Sequence, residues 1–104
     1  MPRKPQLGPS SDPETLILTS LAEGPKHGYA IMQDIERFSG TKMGPGTLYT
    51  AITRLVEKGR IKPDRIEDRQ RPYRITDEGI SRLSEELERM QKIARFGIRR
   101  LRFS

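Results

Sequence analysis

The chain has 104 residues, no cysteine and a formal net charge of +6, and hydrophobic and charged residues each make up 33% of it. This length gives one domain with a modest core, and the low hydrophobic content suggests that part of the core is shared between subunits. The absence of cysteine excludes disulfides and thiolate chemistry, and a single histidine argues against a zinc site, so no metal or other cofactor is expected. The positive charge favours an anionic partner such as DNA, RNA or an acidic membrane surface.

Residues 1–11 contain three prolines and two basic residues but no hydrophobic stretch, which predicts a disordered basic arm rather than a signal peptide. No apolar run in the sequence approaches the roughly 18 residues of a membrane span, so a cytoplasmic protein is expected. Asp12 has the position of a helix N-cap, with Pro13 at the first helical residue. The first helix is therefore predicted from there to about Ala22.

A second helix is predicted from near His27 or Gly28 to about Ser39, with Gly40 as its C-terminal stop. Its apolar residues recur at helical spacing and predict an inward-facing stripe of Ile31, Met32, Ile35 and Phe38. His27 has no constellation of cysteines or carboxylates beside it in the sequence. We therefore predict that it starts the helix and has no catalytic or metal-binding role.

The third helix follows a Gly-Pro-Gly turn at residues 44–46 and ends at Gly59. One face is apolar at i, i+3, i+4, i+7 and i+8 spacing and comprises Leu48, Ala51, Ile52, Leu55 and Val56. The opposite face comprises Thr50, Thr53, Arg54 and Glu57, with Tyr49 at the edge between the two faces. Small hydroxyl side chains let such a helix enter a DNA groove, and an arginine reaches guanine or phosphate. An ordinary amphipathic helix with a solvated face is the alternative, and the Tyr49 ring could instead pack on the second helix.

A basic β-hairpin pattern comes next, with strands predicted around residues 60–66 and 72–75 and a charged turn between them. Pro63 and Pro72 have no N–H to donate to a neighbouring strand. Either the two strands therefore lie at the edge of a sheet, or the prolines lie at the ends of the strands. Arginines at a hairpin tip suit the minor groove, where the negative potential increases as the groove narrows. A solvated loop, whose acidic residues partly cancel this charge, is the alternative.

Thr76 is predicted to cap a long fourth helix from about Asp77 to Arg102. Its apolar residues repeat every three and four positions, and this heptad pattern predicts dimerisation with a second helix. The members of this dimerisation seam are Ile80, Leu83, Leu87, Met90, Ala94, Gly97 and Leu101. Acidic residues lie mainly in the first half of the helix and basic residues in the second, which suits the helix dipole. A basic amphipathic end that touches a membrane surface is the alternative.

The order of these elements predicts a mostly α-helical α+β fold, a winged helix-turn-helix with a long C-terminal dimerisation helix. The predicted organisation is a basic arm (residues 1–11), a winged-helix DNA-binding domain (12–76) and a dimerisation helix (77–104). Contacts with double-stranded DNA are predicted around the third helix at Lys42, Thr47, Tyr49, Thr50 and Arg54, and in the wing at Arg65, Arg69, Gln70 and Arg71.

Five motifs resemble those of the PadR-like winged-helix transcriptional regulators, in their short subfamily with a single C-terminal helix. These motifs are His27-Gly28-Tyr29, Gly44-Pro45-Gly46-Thr47-Leu48-Tyr49, Arg54-Leu55, Gly59-Arg60-Ile61 and Tyr73-Arg74-Ile75-Thr76-Asp77-Glu78-Gly79. The resemblance extends over roughly residues 14–101, and the chain departs from it at Pro72, where the family more often has an aromatic residue. It implies a homodimeric repressor that binds a palindromic operator.

The resemblance also implies regulation by a ligand, because many relatives release DNA on binding a small aromatic compound at an aromatic platform. The chain has no tryptophan, so we expect either no effector or a small hydrophobic effector held by aliphatic contacts. The sequence shows no plausible nucleophile–base pair, and no enzyme is expected. A winged-helix protein–protein adaptor with only non-specific DNA affinity is the alternative function, and the arginines of the wing argue against it.

Overall fold

The computed structural model describes residues 12–64 and 71–103 and confirms the predicted mostly α-helical α+β architecture. Its elements are α1 (Pro13–Leu21), α2 (Gly28–Ser39), α3 (Pro45–Glu57), β1 (Ile61–Pro63), β2 (Tyr73–Ile75) and α4 (Asp77–Phe103). The predicted helix boundaries agree with these to within one or two residues. The basic arm at residues 1–11 lies outside the described residues. None of the helices described here is long and apolar enough to cross a membrane.

The central element of the fold is α1, which packs against the other three helices and β2. Its start is fixed by the predicted cap: the Asp12 carboxylate accepts hydrogen bonds from the Thr15 amide at 3.0 Å and the Thr15 hydroxyl at 2.8 Å. Pro13 occupies the first helical position, where its missing N–H leaves no bond unmade. A short helix is thereby stabilised at one end while most of its side chains are buried.

The hydrophobic core joins α1 to α2, α3, β1 and the first turns of α4. Its buried members are Leu16, Ile17, Leu18, Leu21, Ile31, Ile35, Met43, Leu48, Ala51, Ile52, Leu55, Ile61 and Leu83. Two residues predicted to face inward do not: Phe38 is 46% exposed and Val56 is 38% exposed. Val56 lies one residue, about 100°, beyond Leu55 around α3, and Phe38 lies in the last turn of α2, so both project past the edge of the core.

The wing is a two-stranded antiparallel hairpin with the register Ile61 to Ile75 and Pro63 to Tyr73. Pro63 ends β1 and Pro72 directly precedes β2, so neither lies inside a strand, and the Asp64 amide donates to the Pro72 carbonyl at 2.9 Å. The departure from the family pattern at Pro72 therefore leaves the pairing intact, because a carbonyl, which proline retains, makes this bond.

The other edge of β2 pairs with the connection between α1 and α2, a contact that the sequence did not reveal. The Lys26 amide donates to the Tyr73 carbonyl at 3.1 Å, and the Tyr73 amide donates to the Lys26 carbonyl at 2.9 Å. The strand β2, at the base of the wing, is thus hydrogen-bonded along one edge to β1 and along the other to Lys26. The start of α2 is brought beside the start of β2 in the same way.

The Lys26 side chain enters a polar cluster between α1 and α2. Its ammonium group contacts the Ser20 carbonyl and lies 2.8 Å from Glu23 and 3.7 Å from Asp34. The Ser20 hydroxyl donates to Asp34 at 2.8 Å, and Arg37 donates to the same carboxylate at 3.2 Å. Burial tends to raise the pKa of Asp34, but these hydrogen bonds and cationic charges outweigh it and lower that pKa below its ordinary value of 3.8.

The junction between the wing and α4 is close-packed. Thr76 caps α4 as predicted, since its hydroxyl accepts from the Gly79 amide at 3.1 Å, and the Thr76 amide donates to the Arg60 carbonyl at 3.0 Å. A Cβ at Gly79 would collide with that carbonyl oxygen and lie 2.8 Å from Cγ1 of Ile75. Glycine is therefore required here by the approach of two backbone segments.

The long helix α4 leaves the core after its first turns. Its 27 residues extend about 40 Å at 1.5 Å per residue. Leu83 is buried in the core of its own protomer, whereas Ile80 is 49%, Leu87 41% and Leu101 82% exposed. Most of the predicted dimerisation seam is therefore accessible at the surface of the single chain.

Candidate nucleic-acid interface

The exposed face of α3 follows from the burial of its opposite face. Gly44 has an extended conformation at the N-cap, and Pro45 sets the first helical residue. Because each residue advances by about 100°, burying positions 48, 51, 52 and 55 turns the four predicted contact residues of α3 outward. These residues are Thr47, Tyr49, Thr50 and Arg54, all of them exposed.

One edge of this face brings three of the predicted residues together. Thr47, Thr50 and Arg54 line a groove of about 420 Å³ with the start of α1, where Asp12 and Glu14 form its other wall. The spacing of three and four residues along α3 places the three side chains on one line. Hydroxyl and guanidinium groups in such a line match the donor and acceptor pattern of base edges.

The other edge of α3 borders a second groove, of about 440 Å³, between the start of α2 and the wing. Tyr49 and Arg71, predicted separately, both line it, together with Tyr73. A Cβ at Gly28 would collide with the Tyr49 hydroxyl, so the tyrosine lies against the first turn of α2 while remaining 49% exposed. The two roles considered for Tyr49, packing on α2 and exposure to a ligand, are therefore compatible.

Among the remaining predicted residues, Lys42 lines neither groove. Lys42 is exposed in the connection that precedes α3. Arg65, Arg69 and Gln70 lie outside the described residues. Their assignment to DNA contact stays a prediction.

The basic groups near α3 differ in how they are neutralised. Lys58 lies 3.0 Å from Glu14, and Arg60 lies 3.8 Å from the same carboxylate, so both hold α1 against the end of α3. In contrast, no carboxylate within residues 12–64 and 71–103 forms an ion pair with Arg54 or Lys42. Their charges are available to an external anion, as phosphate contacts require.

Thr53 is a surface residue that the predicted contacts omitted. It lies between Tyr49 and Thr50 around the helix and points away from the core, and its hydroxyl donates to the Tyr49 carbonyl at 2.9 Å. The helical spacing alone was sufficient to find it. Tyr29, His27 and Tyr73, which line the second groove, could not have been found that way, because tertiary contacts assemble that groove.

The chain is similar in sequence and in structure to known transcriptional regulators. The model of the Transcriptional regulator PadR-like family matches residues 17–85. The chain is 41% identical over 85 residues to an uncharacterized 37.1 kDa protein in transposon TN4556 of Streptomyces fradiae, covering 82% of this chain but only 25% of that protein. It is 33% identical over 82 residues to the transcriptional regulator Rv3488 of Mycobacterium tuberculosis, covering 76% of each. A solved transcriptional regulator from Clostridium thermocellum superposes with a TM-score of 0.72 at 33% identity, over 81% of this chain and 84% of that one.

Proposed function

Because the chain belongs to the PadR-like family of transcriptional regulators, we propose that it is a sequence-specific DNA-binding repressor that acts as a homodimer on a palindromic operator. The observation that supports this most directly is the line of Thr47, Thr50 and Arg54 along one exposed edge of α3, beside the start of α1. Arg54 is suited to guanine O6 and N7, and the threonines to bases or phosphates.

The proposed homodimer forms through α4. A single protomer leaves Ile80, Leu87 and Leu101 exposed at heptad spacing, and such a seam is stabilised by knobs-into-holes packing with a second helix. Leu83 differs from these residues because its burial needs no partner. The seam between subunits is therefore proposed to consist of the predicted residues other than Leu83.

We infer an antiparallel pairing from the charge distribution along α4. An antiparallel pair places the mainly acidic first half of one α4 helix beside the basic second half of the other. A parallel pair would bring the acidic halves together and the basic halves together, which is unfavourable. The arrangement can be tested by sedimentation at a series of protein concentrations.

In that test, Glu88→Arg should weaken dimerisation several-fold, since it places a positive charge in the acidic half of each helix, beside the basic half of the partner. The double variant Glu88→Arg/Arg100→Glu should restore the wild-type association. Equal weakening in the single and double variants would contradict the antiparallel register.

The same helix offers a groove of about 410 Å³ for a small hydrophobic effector. Ile93, Phe96 and Gly97 line it, with Lys92 and Arg100 at its rim. Phe96 adds an aromatic surface to the aliphatic contacts expected from the sequence. Calorimetry with small aromatic compounds tests the expectation from the sequence that an effector is either absent or held by aliphatic contacts. Tight binding of an aromatic compound would contradict that expectation.

The DNA-binding proposal is tested by selecting duplexes from a random pool with the purified protein. We expect enrichment of a palindrome whose half-sites lie about one helical turn apart. In fluorescence anisotropy the wild type should prefer this duplex to a scrambled one, and Thr50→Ala/Arg54→Ala should abolish the preference. Placing the duplex across a promoter in a reporter should then lower transcription. If no sequence is enriched and both duplexes bind equally, the protein–protein adaptor becomes the better proposal.

A further inference from the structure

The groove between α2, α3 and the wing has an unusual composition. All three tyrosines of the chain, Tyr29, Tyr49 and Tyr73, line it together with the only histidine, His27, and with Arg71. These residues come from three elements that are far apart in the sequence. We call this cavity the tyrosine groove.

The side chains of the tyrosine groove are hydrogen-bond donors. A phenol donates through its O–H, a neutral imidazole through one N–H and a guanidinium through five. The described lining contains no carboxylate. The groove on the other edge of α3 differs, because it includes both Asp12 and Glu14. Of the two grooves that border α3, the tyrosine groove is therefore the better suited to an anion.

The tyrosine groove is also held in a fixed geometry. Backbone hydrogen bonds between Lys26 and Tyr73 fix the start of β2 beside the start of α2. The Tyr49 hydroxyl occupies the space that a side chain at Gly28 would fill. Tyr49 is consequently directed along the first turn of α2 by contact with the backbone, and its position does not depend on a ligand.

The groove lies beside the face that we assign to DNA. Tyr49 is one residue from Thr50, and the Thr53 hydroxyl bonds to its carbonyl. A helix in the major groove has a phosphate backbone along each side, and side chains at its edges contact those phosphates. One strand of a duplex that contacts Thr50 would therefore pass the tyrosine groove.

We propose that the tyrosine groove binds a phosphodiester of the DNA strand that borders α3, with Tyr49, His27 and Arg71 donating to its oxygens. This inference rests on the proposed DNA binding by α3 and adds His27, which was predicted from the sequence only to start the second helix. It assigns the two grooves different roles. The groove with Thr47, Thr50 and Arg54 distinguishes sequences, while the tyrosine groove contributes affinity for any duplex.

The first experiment uses a duplex of random sequence, for which base contacts contribute little. Tyr49→Phe and His27→Ala should each weaken binding, by about tenfold for the loss of a hydrogen bond to a charged group. Arg71→Ala should also reduce the slope of log affinity against log salt by about 0.9, the value for one phosphate contact. Arg99→Ala removes the same charge from an exposed position of α4, away from the groove, and should leave affinity and slope close to those of the wild type. Wild-type affinity in both Tyr49→Phe and His27→Ala would overturn the proposal.

A second experiment separates phosphate contact from a structural role. In the selected duplex, each phosphate in turn is replaced by an uncharged methylphosphonate, and affinities are measured for the wild type and Tyr49→Phe. We expect one position at which the replacement weakens the wild type several-fold but hardly affects the variant. Gly28→Ala, which displaces the hydroxyl without removing it, should lose sensitivity at the same position. Identical profiles for wild type and variants would overturn the proposal.

The two experiments also distinguish this inference from the function on which it rests. If selection enriches no sequence but the groove variants still weaken binding to the random duplex, sequence-specific regulation fails and the phosphate site stands. If selection succeeds and the groove variants bind the random duplex like the wild type, the phosphate site fails alone.

Discussion

The close approach at the wing–α4 junction makes a prediction whose sign is opposite to that of helix propensity. Gly79 lies in the first turn of α4, and alanine at a helical position is ordinarily more stable than glycine by about 1 kcal/mol. The added methyl of Gly79→Ala, however, would meet the carbonyl oxygen of Arg60 and lie 2.8 Å from Cγ1 of Ile75. The carbonyl cannot move aside easily, because it accepts the Thr76 amide at 3.0 Å.

The expected magnitude follows from the two opposing contributions. Overpacking costs about 1–3 kcal/mol, and a collision with a constrained backbone belongs at the upper end of that range. Subtracting the gain in helix propensity leaves a net loss of about 2 kcal/mol in the free energy of unfolding. At about 4–8 °C per kcal/mol for a domain of this size, the melting temperature should fall by about 8–16 °C.

Urea unfolding followed by far-UV circular dichroism measures this effect. It should be run at two protein concentrations, because association contributes to the apparent stability. Gly46→Ala is the matched control: Gly46 is also helical, but a Cβ there has no neighbour within 4 Å, so this variant should be slightly more stable than the wild type. If Gly79→Ala were as stable as Gly46→Ala, the argument from backbone approach would be refuted.

Substitutions at three further residues test other parts of the structure. Because the pKa of Asp34 is lowered in the folded state, the ionised carboxylate stabilises the fold above pH 3.8, and this contribution is lost as the pH falls through the lower folded pKa. Asp34→Asn should therefore be less stable than the wild type at neutral pH. In thermal melts at a series of pH values, the variant should also lose less stability on acidification than the wild type does. Asp12→Ala should cost about 1 kcal/mol in urea unfolding through loss of the α1 cap, whereas Asp12→Asn should retain most of it. A Cβ at Gly97 would have no neighbour within 4 Å in the protomer, so Gly97→Ala should stabilise the isolated helix. If the two α4 helices approach each other at this residue, the same variant should weaken the dimer in sedimentation. Unchanged association would place the seam elsewhere.

The helix boundaries could be predicted because each depends on neighbouring residues. Asp12 caps the helix that starts one residue later, and Gly40 ends α2 in the left-handed conformation with φ of 75°. Thr76 likewise bonds to an amide three residues away. Such signals are contained within one helical turn and do not require knowledge of the fold.

The pairing of Lys26 with Tyr73 could not be predicted in this way. Backbone hydrogen bonds impose little requirement on the side chains, so neither residue shows a recognisable pattern. The same limit applied to the tyrosine groove, whose lining residues come from separate elements. It also applied to Leu83, because the heptad pattern does not distinguish burial against the same chain from burial against a partner.

The prediction of the contact residues of α3 had a different basis, namely helical geometry. Once the apolar positions 48, 51, 52 and 55 are assigned to the core, helical geometry determines which side chains point outward. The edges of that face could not be predicted in the same way, since Val56 was predicted to be buried and is 38% exposed. Edge positions depend on how far neighbouring elements extend, which the sequence of a single helix does not contain.

The double attachment of β2 has a consequence for how such a protein can diversify. Since Lys26 holds one edge of the strand and β1 holds the other, the base of the hairpin does not depend on the residues at its tip for its position. Lengthening a surface loop is inexpensive, at about 0.6 kcal/mol for each doubling. The segment 65–70, which joins the two strands, is therefore a natural place for insertions or for loops grafted from relatives, since such changes would leave the base of the hairpin and α3 in place.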